Sequence, residues 1–333
     1  MTLEVSFPSR TKRLAAAAAI ATAAAMLVYL EPVTGANGAD FRQVWYAGRA
    51  LLHGSNPYDL IGPGKVYEND FPLLYPITAS IAVLPLSLLS FAIATLIFVW
   101  LSTAILVYGA TRDGWYRMPM FISSAFVYAS RRGQWSPALV SAWFLPWMGW
   151  VLAAKPNIGL AIFASAPSVR MMKWSIIGGV VLGTIGLILL PTWPGDWLAH
   201  LSDARHIASP VTQPGGIFVL LALLRWRRPE ARLLVALACV PHTMYWYDLL
   251  PLMVIPATIG ESMAFALVTT SGLLFEQLLL SNGTSGAPLL RDFNAMIIAV
   301  AYLPATAIVL NRPNSGKVIW EKTQSGEVSP ATT

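Results

Sequence analysis

The sequence predicts an all-α, polytopic membrane protein, and three observations carry that prediction. Of its 333 residues, 56% are hydrophobic and only 11% are charged, where soluble domains carry about a quarter charged residues. Mean hydropathy is +0.60. Apolar runs follow one another along the chain with basic residues at their ends, as positive-inside orientation and anionic lipid require. The net charge of +6 therefore points to a membrane surface and not to nucleic acid. A single cysteine, Cys239, excludes an intrachain disulfide and any cysteine-based metal site.

The first apolar run, 14–30, is uncharged and follows Arg10, Lys12 and Arg13. Bases ahead of a first span keep that end in the cytoplasm, which puts the next loop, 31–75, outside. A cleaved secretory signal is the rival reading of this Ala-rich run, and it leaves the loop outside as well. Within the loop, Phe41, Val44, Trp45, Gly48, Leu51 and Leu52 recur at helical spacing, with Arg42, Gln43, Tyr46, Arg49 and His53 opposite. That pattern predicts an amphipathic helix lying on the bilayer surface, apolar side down.

Residues 75–87 and 91–110 read as a tight helical hairpin. Further apolar runs follow at 119–129, 137–154, 157–166, 174–190, 215–224, 231–240, 245–259, 262–280 and 295–310. Several fall short of the roughly 20 residues of a straight span, and short helices survive only where protein or water meets their ends. The expectation is ten to twelve helices, some broken, around a cavity. The clusters Arg170/Lys173, Arg225 to Arg232 and Arg312/Lys317 belong in the cytoplasm. Segments 191–214, 241–242 and 281–292 then face outside, with His200, His206, His242, Asp203 and Arg205. A single membrane domain covers 1–310, and the polar tail 311–333 is expected to be disordered.

Three constellations stand out against this apolar background. Asp40 opens the amphipathic helix, where it reads either as an N-cap or as a general base. No second carboxylate accompanies it at metal-ligand spacing. In Pro241-His-Thr-Met-Tyr-Trp-Tyr-Asp248, helical spacing puts His242, Tyr245, Trp246 and Leu249 on one face, with Asp248 beside Tyr245. These are either intramembrane functional groups or an interfacial aromatic belt. Gly133-Gln134-Trp135 and Lys155-Pro156-Asn157 form the third. An unbroken helix between Gln134 and Lys155 would put them on opposite sides, whereas a break at Pro146 would bring them together. Lys155 meets an anion or snorkels to an interface. There is no glycine-rich phosphate loop, nucleophile elbow or dinucleotide fingerprint, so a nucleotide-linked substrate has no visible site and no cofactor is implied.

With these residues in view, the chain resembles the polytopic GT-C glycosyltransferases, and among them glycosyltransferase family 87, the polyprenol-phosphate-mannose-dependent mannosyltransferases. The likeness rests on Asp40-Phe…Tyr46-Ala…Ala50-Leu-Leu-His-Gly-Ser-Asn-Pro-Tyr-Asp59, on Phe71-Pro-Leu-Leu-Tyr-Pro76, on Gly133-Gln134, on Lys155-Pro156 and, more weakly, on Pro241-His242 ahead of Tyr245. The interval from Gly133 to Lys155 is short for that family. The resemblance implies a GT-C-like bundle and Asp40 as the catalytic carboxylate. It further implies a polyprenyl-phosphate-linked hexose donor, mannose first, and inversion at the sugar carbon. The acceptor would be a hydroxyl of a cell-envelope glycolipid or polysaccharide at the outer face of the plasma membrane. Lys155, Arg42, Arg205 and His242, in that order, are the candidates for the departing phosphate, with Gln134, Tyr75 and Tyr245 as further substrate contacts. Tyr75, Leu74 and Trp45 would line a groove for the isoprenoid tail. A secondary transporter or lipid flippase and a non-catalytic membrane scaffold are the competing classes, although the internal symmetry usual in transporters is not seen.

Overall fold

A computed structural model describes residues 8–30, 38–69, 71–165, 168–202, 207–281 and 286–315. Arg205, Lys317 and most of the tail lie outside them. The described residues are mostly helical, with connecting turns and loops and one pair of two-residue strands, β1 (Ile61–Gly62) and β2 (Tyr67–Glu68), paired in parallel. In chain order the α-helices are α1 (Arg10–Leu30), α2 (Ala39–Leu52), α3 (Pro57–Leu60), α4 (Ile77–Ala82), α5 (Phe91–Ala110), α6 (Ser124–Arg132) and α7 (Ser136–Phe144). They continue as α8 (Pro156–Ser165), α9 (Val169–Leu189), α10 (Trp193–Leu201), α11 (Pro229–Cys239), α12 (Ile259–Ser281), α13 (Gly286–Ile297) and α14 (Leu303–Leu310). Among the described residues, five helical stretches are long and apolar enough to cross a membrane: α1, α5, α9, α12 and the continuous run Arg291–Leu310. This is an all-α membrane protein.

The chain runs back and forth between two ends of one bundle. At one end arginines close the helix termini. Arg225 donates to the Leu310 carbonyl at 3.0 Å, Arg232 to Ser165 at 2.7 Å, and Arg312 to Ile255 at 2.8 Å while pairing with Glu261. These are the carbonyls a helix C-terminus leaves unsatisfied, and a cation there also meets the negative end of the helix dipole. At the other end lie α2, α4 and α10, packed over the bundle.

Three short apolar runs are stretched. Pro146–Ala154, Gly216–Arg225 and Trp246–Val254 are 3₁₀ helices of 9, 10 and 9 residues. At about 2.0 Å per residue against 1.5 Å for an α-helix, each gains several ångströms of reach. They sit against other helices at close quarters. A Cβ on Gly178 of α9 would lie 2.5 Å from the Cα of Trp150, so only glycine lets those two backbones approach.

Two expectations are corrected. Residues 75–87 are not a limb of a hairpin: α4 ends at Ala82, a 3₁₀ turn Leu84–Leu88 follows, and both stay beside α2. Pro85 and the short run leave too little helix to cross. Nor does α2 lie apolar side down on lipid. Its stripe packs on protein, with Phe41 stacked on Phe98 at 4.6 Å and Trp45 edge-on to Phe91 at 5.5 Å. The polar face is partly covered too, since Gln43 is buried and donates to Asn69 Oδ1 at 2.7 Å, while Leu52 is exposed.

Candidate functional site

The site is built at the α2 end of the bundle. Helix α2 starts at Ala39 because Gly38 takes the left-handed conformation, φ 61°, which glycine adopts at no steric penalty. Gly38 is thus the cap position, and no side chain caps the helix. Asp40 is not the N-cap that its place in the sequence suggested. It sits in the first turn, where a carboxylate favours the positive end of the dipole. It accepts a hydrogen bond from the Gln134 side chain. The other oxygen, Oδ2, is buried and has no partner. Burial holds the Asp40 carboxyl above the usual carboxylate range; the Gln134 bond and the nearby Arg132 and Lys155 charges pull it back, and Asp248 pushes it up.

Gln134 reaches Asp40 because α6 ends at Arg132 and its cap, Gly133, is also left-handed, with φ 63°. The Gln134 Oε1 accepts from the Tyr75 hydroxyl at 3.2 Å, and the Tyr75 carbonyl accepts from Tyr58 at 3.1 Å. One amide therefore holds together α2, the turn after α6 and the start of α4. A Cβ on Gly133 would lie 2.8 Å from the Phe41 Cβ. Gly133→Ala should cost about 1–2 kcal/mol for the left-handed backbone alone, and should push α2 away from Gln134. A thermal melt in detergent would register the first effect, and a loss of activity beyond it the second.

Lys155 joins the same cluster. Proline 146 does break the 137–154 stretch: α7 ends at Phe144, the 3₁₀ helix returns, and Pro156 opens α8. Of the two arrangements left open by the sequence, the structure has the one that brings Gln134 and Lys155 together. The ammonium lies 2.7 Å from Asp248 Oδ1 and 5.3 Å from the centre of the Tyr247 ring, close enough to Asp40 for its charge to be felt there. It does not snorkel. The Asp248 side chain is fully buried, and its second oxygen accepts from the Thr243 hydroxyl.

The motif 241–248 does not present a single helical face. Met244 is held at φ 53°, a strained conformation for a residue with a side chain. It is the only such residue among those described. The helix begins only at Trp246. His242 goes to one side, with Nδ1 2.8 Å from the Val240 carbonyl and Nε2 3.0 Å from the Tyr302 hydroxyl. Because a carbonyl only accepts, Nδ1 carries the proton and Nε2 accepts from Tyr302. Burial pushes His242 below the usual imidazole range, so it is a neutral, fully bonded group and offers an anion little. Tyr245 goes to the other side, towards Glu276 at 3.5 Å.

Arg42 stacks over Phe91, 4.9 Å from the ring centre, and belongs to the packing of α2 on α5. Arg205 lies outside the described residues. The groove expected along Tyr75, Leu74 and Trp45 is closed at Trp45, which is buried and donates to the Leu89 carbonyl at 3.3 Å. An open apolar groove of ≈ 470 Å³ lies instead between α1 and α5, lined by Met26, Tyr29, Leu96 and Trp100 among others.

Sequence reasoning missed the partner of Lys155, since Asp248 lies 93 positions away. It also passed over Arg132 and Glu276. Glu276 had a signal: it is the one charged residue in the apolar run 262–280, where an ionisable group marks function by default. Comparison with protein-family models, with curated proteins and with solved structures finds no match for this chain.

Proposed function

We propose that the protein is a membrane glycosyltransferase that moves a hexose, mannose first, from polyprenyl phosphate to a hydroxyl of a cell-envelope glycolipid or polysaccharide. The observation that carries this reading is Asp40: a buried carboxylate with one oxygen fixed by Gln134 and the other without a partner, beside a lysine. A general base needs such an oxygen within reach of the proton it removes. Oδ2 takes the acceptor proton as the acceptor oxygen attacks the anomeric carbon from the face opposite the phosphate. The bond from that carbon to the phosphate oxygen breaks, and the electron pair leaves with polyprenyl phosphate. Sugar configuration inverts. Lys155 has three donors and gives Asp248 one of them, so it can meet the departing phosphate without leaving its partner. Arg132 adds a second positive charge near Asp40. The groove between α1 and α5 offers the isoprenoid tail a path along the lipid face.

This reading places the α2 end outside and the arginine-capped end in the cytoplasm, with the whole helical bundle in the plasma membrane. In a Cys239→Ala background, a cysteine at Ser55 should react with an impermeant thiol reagent in sealed cells, and one at Ser315 should not. The opposite pattern would put Asp40 in the cytoplasm.

The base must be ionised to act, and burial raises its pKa. The acid limb of kcat/KM should therefore lie above the ordinary carboxylate range. Arg132→Gln removes a charge that lowers the Asp40 pKa, so that limb should move further up. A limb that stays put in this variant would detach it from Asp40. The activity itself is tested by incubating membranes with labelled polyprenyl-phosphate-mannose and following label into lipid or polysaccharide. A flippase would move the donor across the bilayer and release no polyprenyl phosphate.

A further inference from the structure

Beyond Met244 a second polar cluster lies against the first. Glu276, on the apolar helix α12, is only 9% exposed. Its carboxylate accepts from Trp246 Nε1 at 2.7 Å and from the Tyr245 hydroxyl at 3.5 Å. Both donors are neutral, and among the described residues no base lies within ion-pair distance of it. A buried carboxylate without a counter-charge is costly, and two oxygens offer about four acceptor positions, of which these two bonds use half. Tyr245 is half-buried, and its ring is stacked on Phe293 at 5.6 Å and edge-on to the half-buried Tyr128 at 5.6 Å. Tyr247 links the two clusters. Its ring lies 5.3 Å from that of Tyr245, and the Lys155 ammonium of the first cluster lies 5.3 Å from its centre.

An aromatic platform with an acid could hold a cation. Here two bases argue against that. The Arg131 guanidinium lies 5.6 Å from the Tyr128 ring centre, and the Arg132 charge reaches both Tyr128 and Tyr245. A neutral polyhydroxyl ligand fits this mixture of half-buried rings, carboxylate and nearby positive charge, since each of its hydroxyls both donates and accepts. We infer that Tyr128, Tyr245 and Glu276 form a second carbohydrate subsite, which holds a sugar of the acceptor one aromatic ring, that of Tyr247, away from Lys155. The inference rests on the glycosyltransferase reading for the word acceptor, and not for the sugar.

The test is equilibrium binding of a labelled alkyl mannoside to the purified protein in nanodiscs, with choline as a competing cation. Glu276→Gln keeps an acceptor for Trp246 but removes the charge, and should weaken binding about tenfold or more, as expected for charge-assisted hydrogen bonds. Tyr128→Leu, on a different helix, should do the same by removing ring area. Asp40→Asn should bind within about twofold of wild type, and choline should not compete. In turnover, Glu276→Gln should raise the KM for acceptor about tenfold and leave the KM for donor in place. A wild type that takes up no glycoside, displacement by choline, or unchanged binding in both Glu276→Gln and Tyr128→Leu would overturn the subsite. Glycoside binding that depends on Glu276 in a protein that never transfers sugar would keep the subsite and defeat the glycosyltransferase reading.

Discussion

Asp40→Asn is expected to reduce sugar transfer by about 10²–10⁴-fold, the range for losing a positioned general base, while the protein folds as well as or better than wild type. Asn keeps an oxygen for Gln134 but takes no proton. Asp40 does not cap α2, so no cap is lost. Its pKa is raised in the folded state, chiefly by burial, so the ionised form opposes folding above the unfolded carboxylate range. The penalty vanishes as pH falls below that range. The melting temperature of Asp40→Asn should therefore match or exceed wild type at neutral pH and converge with it in acid. A variant that loses transfer while keeping or gaining stability is what a functional group predicts. Near-normal turnover in the variant would leave Asp40 with no role in chemistry.

Lys155→Gln is expected to be the most destabilising single change in the site. It leaves Asp248 charged, fully buried and held only by Thr243. Removing one partner of a buried pair costs about 3–5 kcal/mol. Replacing both partners by apolar residues, as in Lys155→Met with Asp248→Leu, should recover most of that stability. On the proposed role of Lys155, transfer should not recover, because the phosphate would lose its cation. Lys155→Arg should retain part of the activity, since it keeps the charge but changes the geometry. Thermal melts of the single and double variants, paired with transfer assays, separate the two roles. An active double variant would assign the phosphate to Arg132 and Lys155 to structure alone.

Much of the architecture was legible in composition and periodicity, and what was not has physical reasons. The stripe of α2 identified a buried face, but periodicity does not say whether lipid or protein covers it, and here α5 does. In the apolar remainder the contrast between faces is weak, so 75–87 read as a span although Pro85 breaks it. The 3₁₀ stretches looked like runs too short to cross, because sequence carries no mark of rise per residue. Asp40, Gln134 and Lys155 stood out singly as polar groups in an apolar chain. Their convergence depended on Pro146 and on the left-handed glycines 38 and 133. The split of His242 from Tyr245 depended on Met244, whose positive φ no local pattern announces. Asp248 was visible, yet its pairing with Lys155 is a long-range contact.

The central claim is that Asp40 is the base of a transfer from a lipid-linked phospho-sugar, and release of the lipid product tests it most directly. Purified protein in nanodiscs is mixed with polyprenyl-phosphate-mannose labelled in the lipid, with an alkyl mannoside as acceptor, and free polyprenyl phosphate is measured over a single turnover. Wild type should release it in step with a lengthened glycoside, and Asp40→Asn should do so at least 10²-fold more slowly while binding the glycoside as before. Release at equal rates in the two proteins, or none in either, would contradict the account.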